Sequence, residues 1–197
     1  MNLTIFNTPI LSTFFHYFAR FMMRQRGWRI EGKLPDIPKF VLIGAPHTSN
    51  WDFVLFLGVI FSLRANVRFM GKAELFRFPY GWFFRYCGGV PVDRKKSTGL
   101  VEQMVKVSNE LDRFILTIAP EGTRHHVVEW KRGFYHIAKN AEIPMVMAVV
   151  DGKHKTVRIG QVFHSTENVE ADMKAIKGVF DGIVGINPRR KYITLEK

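Results

Sequence analysis

The stretch Phe40-Val41-Leu42-Ile43-Gly44-Ala45-Pro46-His47-Thr48-Ser49-Asn50-Trp51-Asp52 changes character halfway along. Its first four residues are apolar without alternation, the pattern of a strand buried on both faces. Small and polar residues follow, and then a helical stretch around 51–65. The apolar runs Val67-Arg68-Phe69-Met70, Phe114-Ile115-Leu116-Thr117-Ile118 and Met145-Val146-Met147-Ala148-Val149-Val150 are also of strand length. Helical stretches around 97–112 and 131–141 lie between them. Such alternation predicts an α/β fold, a mostly parallel sheet flanked by helices. In that architecture loops at the carboxyl ends of strands open onto a cleft, and residues 44–52 occupy such a place.

Upstream, Thr8 is a candidate helix cap and Pro9 suits the first helical position, where a missing N–H costs nothing. The spacing predicts an amphipathic N-terminal helix ending near Gly27. Phe14, Phe15, Phe18, Phe21 and Met22 fall on one face and Thr13, His16, Arg20 and Arg24 on the other. A spanning helix needs about 20 apolar residues, and here His16 and Arg20 interrupt the run. Residues 1–27 are therefore expected to lie on a membrane surface, the alternative being ordinary packing on the core. No small-residue cleavage site follows a short apolar run, so a secretory signal is not supported. The four arginines and absent acids of residues 1–30 also resemble a transit peptide, a reading ranked below a retained surface helix.

With 197 residues and 47% hydrophobic content the chain suits one domain over 1–197, with a core at 38–150. A net charge of +12 attracts something anionic: nucleic acid, lipid head groups or an acidic carrier protein. The single Cys87 excludes an intramolecular disulfide and fits a reducing, cytoplasmic compartment. As a thioesterase nucleophile it would need a base and an electropositive setting, whereas Phe83, Phe84 and Tyr86 surround it in sequence. The aromatic stretch 76–85, with Phe83 and Phe84, suits acyl-chain or membrane contact instead.

Two constellations could carry chemistry. Ser49 would cap the helix with Asp52 at its third position, so that His47 folds back and its imidazole donates to the Asp52 carboxylate. That contact would leave the second ring nitrogen as a general base. A cap beside an unrelated loop histidine gives the same spacing. The second constellation is Pro120-Glu121-Gly122-Thr123-Arg124, where glycine admits a close ligand and arginine offers a fork for phosphate. A turn with a surface ion pair would read alike.

His47 and Asp52 with four residues between them, followed by Glu121-Gly122-Thr123-Arg124, resemble the paired motifs of the acylglycerol-phosphate acyltransferase superfamily. Gly89-Val90-Pro91-Val92-Asp93-Arg94 resembles its intervening motif and Ile143-Pro144-Met145-Val146 its last. The resemblance implies an O-acyltransferase with His47 as base and Asp52 orienting it. Arg94, Glu121, Gly122, Thr123 and Arg124 would bind the acceptor, a lysophospholipid or glycerol-phosphate type, with the two arginines on its phosphate. It also implies acyl-CoA or acyl carrier protein as co-substrate, no metal and no other cofactor. Phe14, Phe18, Phe21, Phe83 and Phe84 are expected to meet membrane or acyl chain, and the protein to be peripheral on the cytoplasmic face of an anionic membrane. His125 and His126 depart from the commonest pattern, and as adjacent residues with no third ligand they read as loop histidines. The alternatives are an acyltransferase with a phosphate-free lipid acceptor and a non-enzymatic basic module binding membrane or RNA. With no RNA-binding motif in the chain, nucleic acid is not the expected partner.

Overall fold

The computed structural model describes residues 3–92, 99–124, 127 and 129–187. The run at Phe40–Ile43 becomes the centre of a strand, β2 (Lys39–Ala45). It pairs in parallel with β5 (Phe114–Ile118) on one side and β6 (Met145–Asp151) on the other, Val41 standing opposite both Leu116 and Met145. β3 (Val67–Lys72) extends the sheet beyond β5, and β4 (Gly89–Val92) closes that edge. Beyond β6 come β7 (Thr156–Phe163) and β1 (Arg29–Gly32). Among the described residues the sheet has seven strands in the order β1-β7-β6-β2-β5-β3-β4, and only the β6–β7 pair is antiparallel.

Because successive side chains of a strand point to opposite faces, the unbroken apolar runs supply two cores. Val41, Ile43, Met145 and Met147 pack on one face with α4 (Leu100–Glu110), α5 (Gly133–Asn140) and α6 (Val169–Gly178). Phe40, Leu42, Val146 and Ala148 pack on the other with α1 (Pro9–Gln25) and α2 (Trp51–Ser62). Ile60 of α2 is fully buried there, and truncating such a residue to alanine costs about 2–5 kcal/mol. A 3-10 turn (Ala73–Phe76) and α3 (Gly81–Tyr86) fill the β3–β4 connection.

The N-terminal helix ends as its sequence suggests. The Trp28 N–H reaches Met23 O and the Gly27 N–H reaches Arg24 O, with Gly27 at φ +73°, a close that favours glycine. Its start differs. Thr8 makes no side-chain cap; its hydroxyl bonds to Thr4 O and pairs with Tyr86 Oη of α3, both at 2.8 Å. The expected division of faces is also corrected. His16, assigned to the polar face, turns inward and its Nδ1 meets Phe61 O at 3.0 Å. Phe15 turns inward as well and stacks on Phe61, while Met23 sits against Gly58. These contacts, 16 with 61 and 23 with 58, make α1 and α2 antiparallel. Packing thus claims one apolar stripe of α1, and a second, with Ile10, Phe14, Tyr17, Phe18 and Phe21, stays exposed. No helix among the described residues is long and apolar enough to cross a membrane.

Candidate active site

The loop after β2 is held from its far side by one carboxylate. Asp52, in the first turn of α2, directs Oδ2 back over the loop, where it accepts the Thr48 N–H at 2.6 Å, the Ser49 N–H at 2.7 Å and the His47 Nδ1 at 2.9 Å. Ser49 Oγ in turn accepts the Trp51 N–H at 3.2 Å. Ser49 and Asp52 do bond across the start of the helix, but the expected cap is corrected by one residue: the N-cap is Asn50, which makes no side-chain cap bond, and Asp52 stands at the second helical position. An ionised carboxylate only accepts, so in the neutral ring it is Nδ1 that carries the proton and Nε2 that can accept one.

The loop after β5 meets this one. Glu121 is 5% exposed, and its Oε1 accepts the His47 N–H at 2.9 Å. One oxygen of Glu121 thus holds the backbone of the histidine loop, and Glu121 is not among the residues that line the neighbouring cavity. Gly122 sits at φ +63°, and a Cβ there would fall 3.0 Å from the stem of Lys131, so the close approach it allows is that of a side chain of the protein itself. Arg124 Nη1 donates to Asn50 Oδ1, so the guanidinium bridges the two loops.

His47, Asp52, Gly122, Thr123 and Arg124 line a cavity of about 890 Å³. Its walls are mostly apolar and include Leu42, Leu55, Val59 and Ala148 between α2 and the sheet, and Phe69 and Met70 on β3. Gly44 opens it further, for a Cβ on Gly44 would meet nothing within 4 Å. The volume and the apolar lining with few convergent polar groups are those of a ligand site.

Lys72 and Lys131 also line the cavity, and reading the sequence did not single them out. Lys72 had a signal: it ends the β3 run, at the same edge of the sheet as His47. Lys131 had none beyond the glycine over which it folds. With Arg124 they give the cavity three cationic groups that favour an anionic ligand.

The remaining expected residues divide. Arg94, His125 and His126 lie outside the described residues. Phe14, Phe18, Phe21 and Phe83 are exposed, at 47–59%. Phe84 is half-buried, its ring 6.0 Å from that of Phe76, so the short α3 presents Phe83 outward more fully than Phe84. Cys87 is half-buried, and burial pushes its thiol up, away from the thiolate a nucleophile requires. Among the described residues no group of three or more metal-ligating side chains comes together.

This geometry coincides with a family. A sequence model of the family described as Acyltransferase matches residues 29–151, which contain the whole of both loops. Two 1-acyl-sn-glycerol-3-phosphate acyltransferases are similar in sequence. The one from Streptococcus pneumoniae is 30% identical over 136 residues, 64% of this chain and 50% of that one. The one from Haemophilus influenzae is 25% identical over 146 residues, 68% of this chain and 59% of that one. The chain thus spans about half the length of the curated relatives it matches. The crystal structure of the 1-acyl-sn-glycerophosphate (LPA) acyltransferase PlsC from Thermotoga maritima shares the fold, with a TM-score of 0.64 over 86% of this chain and 76% of that one at 19% identity. The family model spans most of the chain and covers the loops that hold His47 and Arg124, and on that ground this chain belongs to the acyltransferase family.

Proposed function

We propose that this protein transfers a fatty acyl group from a thioester, acyl-CoA or acyl carrier protein, to a hydroxyl of a lysophosphatidate-type acceptor. The observation that carries this reading is the 2.9 Å contact of His47 Nδ1 with Asp52 Oδ2 at the edge of a largely apolar cavity. A thioester is already activated, so the demanding task is to make an alcohol nucleophilic. His47 Nε2 takes the hydroxyl proton as the oxygen attacks the carbonyl carbon. The C–S bond then breaks, and the thiolate recovers the proton from the imidazolium. Asp52 stabilises that imidazolium without itself taking the proton.

The apolar walls suit an acyl chain, and Lys72, Arg124 and Lys131 suit the acceptor's phosphate. Membrane attachment follows from the exposed stripe of α1, flanked by Arg20 and Arg24. The Thr8–Tyr86 hydroxyl contact brings the start of α1 to α3, which carries exposed Trp82 and Phe83.

Steady-state kinetics with lysophosphatidate and a phosphate-free analogue of equal chain length test the acceptor. Wild type should prefer the former. Arg124→Lys should lose more than tenfold in acceptor use, about 1.4 kcal/mol or more, because a point charge cannot reproduce a guanidinium fork. Equal rates on both acceptors in wild type would remove the phosphate from the proposal. Replacing Phe14, Phe18 and Phe21 together by serine should abolish sedimentation with anionic vesicles; unchanged sedimentation would move the membrane contact to residues 78–83.

A further inference from the structure

The chain after α6 returns to the catalytic loop. Ile183 packs with the face that carries α4, α5 and α6, whereas Ile186 packs with the face that carries α1 and α2. Residues 183–187 therefore cross over the carboxyl end of the sheet. At the crossing the Gly152 N–H, just past β6, donates to Val184 O at 2.7 Å, and the Asn187 N–H donates to Thr48 Oγ1 at 3.1 Å. Between these bonds Gly185 is buried and pressed against the loop. A Cβ on Gly185 would lie 2.6 Å from both Thr48 Oγ1 and Cγ2 and 3.1 Å from Pro46 Cγ. A Cβ on Gly152 would stand 2.3 Å from Gly185 O. Neither glycine has a positive φ, so close approach rather than backbone freedom calls for them.

We propose that residues 183–187 form a positioning strap for the base. Thr48 adjoins His47, and its amide is one of the groups bound to Asp52 Oδ2. The loop is thus fixed from three directions: Asp52 on α2, Glu121 after β5, and the strap through the Thr48 hydroxyl. The first two anchors lie inside the stretch matched by the family, residues 29–151, and the strap lies outside it. Its action is indirect: it sets where the His47 backbone sits and leaves the chemistry to the ring. The inference rests on the reading of His47 as general base.

Three variants test it. Thr48→Val keeps the side-chain shape and removes the hydroxyl, Thr48→Ser restores the hydroxyl, and Gly185→Val forces the strap off the loop. With thioester and lysophosphatidate, Thr48→Val and Gly185→Val should lose roughly 10–100-fold in kcat, the scale of a misplaced catalytic group, while KM for the donor changes by less than about twofold. Thr48→Ser should recover most of the loss. Amide hydrogen exchange gives a readout independent of activity: exchange at residues 46–52 should quicken in Thr48→Val and Gly185→Val while protection of β2 and β5 is kept. If Gly185→Val fails to fold, Thr48→Val and Thr48→Ser decide the matter. In Thr48→Val, unchanged kcat, unchanged exchange at 46–52, or loss of protection throughout the sheet would each overturn the strap. A wild type with no acyl transfer at all would instead refute the proposed function, and the exchange data would still decide whether the strap holds the loop.

Discussion

Two histidine–aspartate pairs sit at the carboxyl ends of neighbouring strands, His47–Asp52 after β2 and His154–Asp151 after β6. Their contacts are nearly alike, with Nδ1 to Oδ2 at 2.9 Å and 2.7 Å. In each, the aspartate also accepts backbone N–H groups, from Thr48 and Ser49 in the first pair and from His154 in the second. What separates them is where the ring stands. The His47 side chain is 30% exposed and lines the cavity, whereas that of His154 is 63% exposed on the β6–β7 turn and is not part of that lining. A carboxylate meets the ring in both places, but only His47 also lines an apolar cavity with cations at its edge, and that is why the proposed base is His47.

The largest effect should come from removing the rings. His47→Ala should leave a folded protein with acyl transfer reduced about 10²–10⁴-fold, the contribution of a positioned general base. His154→Ala should change turnover by less than about twofold, since away from a site a surface substitution has little to act on. Comparable losses in both variants would break the comparison, because the cavity would then not be what distinguishes the pairs. The carboxylates come next. Asp52→Asn should cost less than His47→Ala, on the order of 10²-fold, by relaxing the tautomer and weakening the hold on the imidazolium. Asp151→Asn should lower the melting temperature and leave kcat alone.

The cavity half of the comparison is sharpened by Lys131→Gln. Removing one cation of the cavity lining should raise KM for lysophosphatidate by roughly 3–10-fold while kcat holds, the pattern of lost ground-state binding. Its effect should fade on the phosphate-free analogue.

The smallest effect concerns acid stability. Burial pushes the Asp151 carboxyl up, but the hydrogen bonds from the His154 ring and backbone N–H outweigh it and hold the group below its ordinary value of 3.8. Asp172, buried and bonded to Thr166 and Tyr135, is also held below its ordinary value. A carboxyl depressed in the folded state stabilises it above the unfolded pKa, and that stabilisation is lost as pH falls through the folded pKa. Thermal melts of wild type should therefore weaken below about pH 4. His154→Ala should flatten only the part owed to Asp151. An unchanged acid slope in that variant would mean the ring hydrogen bond contributes nothing there.

The central strands were legible because burial on both faces leaves an unbroken apolar run, as in Phe40–Ile43 and Met145–Val150. The edge strands β1 and β4 were not: four residues each, partly exposed, they carry too few buried positions to show a period. β7 escaped for a related reason, with Arg158, Gln161 and Val162 facing out. The polar side of α1 misled because His16 finds a carbonyl acceptor inside the fold, a partner 45 residues away in sequence. In the site, His47 and Asp52 were readable together because the pair is local. Glu121 meets His47 across 74 residues and Asn187 meets Thr48 across 139, and no spacing rule reaches that far. Gly185 shows the limit most clearly, since nothing in a lone glycine says which side chain must pass beside it.

Whether His47 activates the hydroxyl of an acceptor can be read from thiol release by an acyl thioester followed with and without lysophosphatidate. Release in wild type should depend on the acceptor, match ester formed one for one, and nearly disappear in His47→Ala. Release at the same rate without acceptor would contradict it and make the protein a thioesterase, and acceptor-dependent release surviving in His47→Ala would place the base elsewhere.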